Sequence, residues 1–203
     1  MSLTYSLIFK LKPHSVANRG DALAPSFGKP APDFALPGID GKTYTLASFV
    51  DKKVLVVIFM CNHCPYVQAC FDRLIALQKE FGGRGVQLVG INSNDAVEYP
   101  DDSFEMMKKF AVEKGHNFPY LRDESQAAAK AYDAVCTPDI FVYDKKRGLA
   151  YHGRLDDNWK EPQNVTRREL AEALEALLSG KTPSHEQNPS MGCSIKWKAY
   201  STR

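Results

Sequence analysis

Val54-Leu55-Val56-Val57-Ile58-Phe59 is an unbroken apolar run, mostly β-branched, and it stops at Met60-Cys61-Asn62-His63-Cys64-Pro65. A run this short and continuous reads as a strand buried on both faces, which requires a sheet covered by helices on either side. The residues that follow supply one such helix. Val67, Cys70, Leu74, Leu77 and Phe81 recur at spacings of three and four and form one apolar stripe that ends at Gly82-Gly83. Two cysteines and a histidine therefore stand where a buried strand hands over to a helix, and that junction constrains both fold and chemistry.

The rest of the chain continues the alternation. Val86 to Ile91 reads as a second buried strand, Ser103 to Lys114 and Ser125 to Tyr132 as helices, and Phe118 to Leu121 as a short strand between them. Phe34 to Leu36 and Thr43 to Thr45 flank a glycine-bearing turn, and Ile140 to Tyr143 and Ala150 to His152 flank the charged turn 144–148, so each pair reads as a hairpin. Thr166 and Glu169 have the spacing of a capping box for a last helix carrying Leu170, Leu174, Leu177 and Leu178. The sum is an α/β layer fold, a mixed central sheet flanked by helices with an N-terminal hairpin. At 203 residues the chain closes one core. We expect an N-terminal arm (1–26) broken by prolines, one domain (27–180), and a tail (181–203) packed on that domain through Ile195 and Trp197.

A net charge of +2 with acids and bases interleaved leaves no electrostatic footprint for nucleic acid or a membrane surface. No run reaches the ~18 apolar residues of a spanning helix, and Tyr5 to Phe9 is shorter than the ~7 to 15 apolar residues of a signal peptide. Five cysteines are an odd, low count for a disulfide-framed scaffold, so chemistry in a reducing cytoplasm is the expectation. The sequence carries neither a phosphate-cradling glycine loop nor a nucleophile elbow, and neither cofactor nor metal is expected.

A strand that delivers Cys-x-x-Cys to a helix start places Cys61 at the helix N-terminus, where unpaired N–H groups and the dipole favour an anion. That anion is a thiolate, the nucleophile of disulfide exchange. His63 between the two is placed to stabilise it, although a solvated surface imidazole is the plain alternative. Cys64 is close enough to attack a mixed disulfide on Cys61, and Pro65 is tolerated because first-turn N–H groups lack helical partners. A zinc site usually takes a second ligand pair at similar spacing, and the chain has none.

With Thr137-Pro138 placed just before a strand, the Cys61-Asn62-His63-Cys64 motif and the order of elements resemble the thioredoxin superfamily. The early hairpin and the long insertion between Cys64 and Pro138 resemble its redoxin, or AhpC/TSA-like, branch. "CNHCPYV", "INSNDAVEYPDDS", "FPYLRDE", "CTPDIFVYD" and "PSMGCSIKWK" resemble the peroxiredoxin-like thioredoxin-family proteins over roughly 27–198. The resemblance implies a cis Thr137-Pro138 bond facing the cysteines, with its backbone pairing a bound substrate strand. It departs from peroxiredoxins at Pro-x-x-x-Thr-x-x-Cys: counting back from Cys64, Cys61 and Val57 stand where that pattern needs Thr and Pro, and counting back from Cys61, Ile58 and Val54 do. Thioredoxin's Trp before the motif is Met60 here, and its buried Asp on the preceding strand is replaced by Leu55.

Cys136, beside Thr137, and Cys193, in the tail, are candidate accessory thiols, each with a buried or bystander role as the alternative. Cys70 lies on the apolar stripe and reads as core. Asn92 to Asp95 follow a strand end, where either turn chemistry or a ligand rim accounts for them. Asp101-Asp102-Ser103 reads as a helix start and Asp156-Asp157 as a solvated turn. The expected function is a thiol-disulfide oxidoreductase acting on protein or small-molecule disulfides with an unspecified electron donor. A weak thiol peroxidase is the alternative, as is a metal-binding or copper-delivery module using Cys61, Cys64, His63 and Cys136.

Overall fold

The computed structural model describes residues 16–18 and 26–199; the rest of the expected arm lies outside the described residues. Val54–Phe59 forms strand β4, and all six of its side chains are buried. Period-two alternation divides them between two cores. Val54, Val56 and Ile58 pack with helix α1 (Pro65–Phe81), α2 (Phe104–Glu113) and α4 (Glu169–Leu178). Leu55, Val57 and Phe59 pack on the other face with α3 (Ala127–Ala131) and the hairpin of β2 (Ala35–Pro37) and β3 (Thr43–Thr45).

Around β4 the main sheet runs β6-β5-β4-β8-β9, with β5 at Val86–Asn92, β6 at Tyr120–Arg122, β8 at Asp139–Tyr143 and β9 at Leu149–His152. The β4–β5 and β5–β6 pairs are parallel, and β4–β8 and β8–β9 are antiparallel. The mixed α/β layering expected from the sequence pattern is the architecture found. A parallel β4–β5 pair needs a crossover, which α1 provides. The Cys-x-x-Cys segment therefore lies at the C-terminal edge of the sheet, where open α/β sheets gather ligands.

A second, smaller sheet crosses this edge. Its order is β1 (Val16–Asn18), β10 (Met191–Ser194), β7 (Cys136–Thr137), all antiparallel, with Cys193 opposite Thr137 on one side and Val16 on the other. Only glycine allows this approach: a Cβ on Gly192 would sit 2.0 Å from the Thr137 carbonyl oxygen. Beyond β10 the tail runs over the ends of the central strands. Lys196 N–H donates to Asn94 Oδ1 (2.9 Å), and Asp95 N–H donates to the Lys196 carbonyl (2.8 Å). Ile195 is buried in the second core, but Trp197 is 43% exposed beneath the Lys130 ammonium, so only the first of the two expected anchors docks.

Two local expectations are corrected. Thr166 and Glu169 do not form a capping box; α4 begins at Glu169 after Arg168, with no side-chain cap. Thr166 instead bonds Asp157 through both its hydroxyl and its N–H, while Glu169 accepts from Arg154 Nε (2.5 Å), so tertiary partners outcompete the local cap. The third helix is five residues long, shorter than its alanine-rich stretch suggests, because Gln126 before it and Asp133 after it adopt positive φ.

Candidate active site

Helix α1 starts at Pro65, and its N-cap is Cys64, not Cys61. The proline explains the shift. It suits the first helical position and disfavours helical geometry in the residue before it, so Cys64 is extended (φ −70°, ψ 120°). Cys61 lies three residues ahead of the cap, in the bend that leaves β4. The expected placement of Cys61 at the helix N-terminus is thereby corrected: the position nearest the helix's positive end belongs to Cys64.

Thr137 sits between the two sulfurs. Cys64 Sγ donates to the Thr137 carbonyl at 3.0 Å, and Cys61 Sγ lies 3.4 Å from Thr137 Oγ1. The Thr137-Pro138 bond is cis. Cys193, paired in register with Thr137, shares the same core cluster as Cys61 and Cys64. All three cysteines are free and buried, at 0% exposure for Cys61 and Cys64 and 1% for Cys193.

The three thiols titrate as a group. Hydrogen bonds from Cys193 and then from Cys61 hold the Cys64 pKa below the ordinary thiol range, against its burial. Burial, followed by the bond it gives Cys64, pushes Cys61 well up. Cys193 is raised first by its bond to Cys64 and then by burial. These directions and the N-cap position favour Cys64 over Cys61 for the negative charge. The 3.0 Å contact to the Thr137 carbonyl belongs to the protonated thiol, whereas the two S–H donors favour the anion.

His63 does not stand in solvent. Its Nδ1 lies 2.6 Å from Asp102 Oδ2, its side chain is 12% exposed, and its ring stacks on Tyr99 at 5.5 Å between centroids. Asp102 is fully buried, and it also accepts from Asn62 N–H (2.8 Å), Asn94 Nδ2 (2.8 Å) and Asn92 Nδ2 (3.3 Å). Burial alone would neutralise both partners. The His63 contact nevertheless keeps Asp102 below its ordinary value, and Asp102 raises His63. The same carboxylate disfavours a charge on Cys61.

Donor atoms of Cys61, His63 and Asp102 all lie within 4.8 Å of one another. This is a different group from the anticipated metal set, since Cys136 Sγ donates to the Pro138 carbonyl at 3.4 Å and Asp102 takes a place in the cluster. Both Asp102 oxygens are already committed to His63 and the asparagine network.

Beside Pro138 and Met191 opens a cavity of about 240 Å³, walled by Tyr66, Trp159, Arg73 and Asp156. The Tyr66 and Trp159 rings lie 4.2 Å apart. Asp156 is buried, 3.0 Å from Arg73 Nε, and so is not a solvated turn. Cys70 lies at the cavity wall but behaves as core, its S–H directed to the Val67 carbonyl and its pKa pushed up to about 12 by burial.

Asp102 is the principal residue that sequence reasoning missed, read only as part of a helix start, together with Tyr120, whose hydroxyl donates to Asn62 Oδ1 (2.9 Å); Asn94, named as a turn or rim residue, is found holding Asp102. The tail's cluster of Cys, Ile and Trp was the one signal that pointed to a docked Cys193.

Residues 27–152 match the profile of the AhpC/TSA family. An uncharacterized conserved protein from Geobacillus kaustophilus, of known crystal structure, is 43% identical with a TM-score of 0.86, covering 94% of this chain and 100% of that one. A hypothetical protein from Sinorhizobium meliloti 1021 is 42% identical with a TM-score of 0.82, covering 87% and 97%. The thiol-disulfide oxidoreductase ResA of Bacillus thuringiensis subsp. konkukian is 24% identical over 158 residues, 77% of this chain and 79% of its own length.

Proposed function

This chain belongs to the AhpC/TSA family, and on that premise we propose that it is a thiol-disulfide oxidoreductase whose Cys61/Cys64 pair exchanges two electrons with a disulfide substrate. The observation that carries this reading is that one residue, Thr137, takes both sulfurs of the Cys-x-x-Cys pair, Cys61 at its hydroxyl and Cys64 at its carbonyl. ResA, a relative by sequence, bears the name of the same activity.

In this reading Cys64 is the attacking sulfur, because the anion rests there. Its thiolate attacks one sulfur of the substrate, the substrate S–S bond breaks, and the leaving thiolate takes a proton. Cys61 then attacks Cys64, forming the Cys61–Cys64 bond and expelling the second substrate thiol. Cys61 must lose its proton for that step. A ring nitrogen of His63 lies within 4.8 Å of its sulfur, and neutral His63, oriented by Asp102, is placed to take it.

The substrate class follows from what covers the site. The Thr137-Pro138 backbone was expected to pair a substrate strand, but that edge is already occupied by the chain's own β10. A protein strand has to displace β10, whereas a small disulfide with apolar or aromatic flanks fits the Tyr66/Trp159 cavity beside Pro138. Steady-state reduction of a small aromatic disulfide, with dithiothreitol as the electron source, tests the reading. Catalysed turnover well above the rate of dithiothreitol alone is expected. A rate equal to that of dithiothreitol alone overturns it.

A further inference from the structure

We propose that Cys193 is a third redox-active sulfur of this site, which attacks Cys64 in the Cys61–Cys64 disulfide and moves the bond to Cys64–Cys193. The proposal rests on the reading above that Cys61 and Cys64 form a disulfide. It goes beyond it by making the C-terminal strand a reactant.

The chain devotes several features to bringing this cysteine in. After α4 it returns across the sheet end and inserts β10 between β1 and β7, with Cys193 in register with Thr137, the residue that holds both other sulfurs. Gly192, beside it, is the residue whose missing side chain lets the strand close on Thr137. The following residues are pinned through Lys196 to Asn94 and Asp95, and Gln126 Nε2 donates to the Lys196 carbonyl at 2.9 Å. The result is a buried Cys193 in the same core cluster as Cys61 and Cys64, paired across the strands with the Thr137 whose carbonyl takes the Cys64 S–H, although Cys64 and Cys193 are 129 positions apart in sequence by subtraction of 64 from 193. A thiol enclosed in the same cluster as a redox sulfur, and held by strand register to the residue that binds that sulfur, is placed to attack it.

The exchange balances without an outside oxidant. Cys193 gives up its proton and its sulfur attacks Cys64; the Cys61–Cys64 bond breaks, the Cys64–Cys193 bond forms, and Cys61 leaves as a thiolate that is protonated. One disulfide is exchanged for another and no net electrons move. The original oxidising equivalent comes from the disulfide substrate, which accepted two electrons and became two thiols. The new bond ties the N-cap of α1 to β10 and fastens the tail over the site, leaving Cys61 as the free thiol.

The test uses the full chain and 4,4′-dithiodipyridine, a small disulfide that releases a chromogenic thione. Free thiols are alkylated at low pH and disulfides mapped by non-reducing tryptic digestion. Cys61, Cys64 and Cys70 share the tryptic segment 54–73, and Cys193 lies in another, so a bond between them is read directly. The wild-type protein is expected to yield some 54–73 peptide linked to the Cys193 peptide. Cys61→Ser is expected to release two thiones per chain and form Cys64–Cys193, while Cys61→Ser/Cys193→Ser releases one and retains a mixed disulfide on Cys64. Gly192→Ala, which forces β10 away from Thr137 and leaves every sulfur intact, is expected to slow the second release in the Cys61→Ser background at least tenfold. A Cys61→Ser protein that stops at one thione, with Cys193 alkylated, overturns the proposal; if the wild type still forms Cys61–Cys64, the reading under it stands. A wild type that forms neither bond overturns both.

Discussion

Cys64→Ser is expected to bring disulfide reduction down to the uncatalysed rate, whereas Cys61→Ser keeps the first chemical step and turns over only as fast as Cys193 takes the place of Cys61. The asymmetry comes from Pro65. It sets the helix start so that Cys64, and not Cys61, is the N-cap, and the neighbouring Cys193 and Cys61 thiols hold the Cys64 pKa below the ordinary thiol range. A serine hydroxyl there does not ionise near neutral pH and is no nucleophile toward sulfur, so the loss is on the order of 10³-fold or more, the scale of removing an essential nucleophile. In Cys61→Ser the anion survives with one donor replaced by a hydroxyl, so stoichiometric attack on a disulfide persists. Stopped-flow release of the first thione separates the two variants. Equal first-step rates in both would remove Cys64 from its role.

Asp102→Ala is expected to destabilise the protein by about 3–5 kcal/mol, the range for removing one member of a buried charge pair. Asp102 is fully buried, and its loss removes the ion pair to His63 together with the bonds to the Asn62 N–H and the Asn94 amide. Asp102→Asn keeps the shape and removes the charge, and its effect is read from pH. The raised His63 pKa means that its contribution is fully present below the ordinary imidazole value of 6.5 and is lost as pH rises through the folded value. The lowered Asp102 pKa means that its contribution is present above the ordinary carboxylate value of 3.8 and is lost as pH falls through the folded value. The pair therefore stabilises most between these two ordinary values. Urea unfolding across this window should show a stability maximum in the wild type that flattens in Asp102→Asn; an unchanged profile would show that the pair does not carry it.

These two residues also mark what was legible in the sequence. The strand Val54–Phe59, the stripe from Val67 to Phe81 and the Cys-x-x-Cys between them declared themselves because the signals are local: continuous apolarity, a helical period and a fixed spacing. Pro65 was visible as well, but its effect was misjudged, since tolerance in the first turn was weighed and its push on the preceding residue was not. Asp102 was hidden for a different reason. An acid before a helix has an ordinary explanation as a start signal, and nothing local says that this one turns inward to a histidine 39 positions earlier, by subtraction of 63 from 102. Thr166 failed in the opposite direction, its capping pattern being real as a motif but outcompeted by Asp157. Cys193 could be suspected from its company in the tail. Its seat against Cys64 depends on the β10–β7 pairing, a long-range register that no local pattern encodes.

The covered site also bears on how the protein meets its substrate. Cys61 and Cys64 are fully buried beside β10, which carries the buried Cys193, is only four residues long and pairs with two residues of β7. Short pairings of this kind belong to the low-stability end of local opening, so access to Cys64 and retention of Cys193 are set by the same strand.

The most direct measurement is the oxidation state of Cys61 and Cys64 across a series of reduced and oxidised glutathione ratios, read by alkylation and peptide mapping in the Cys193→Ser protein. We expect both thiols to disappear together in one two-electron transition, with the product mapped as a bond between those two sulfurs. Two thiols that remain fully alkylatable at every ratio, or that each take up glutathione separately, would contradict the account.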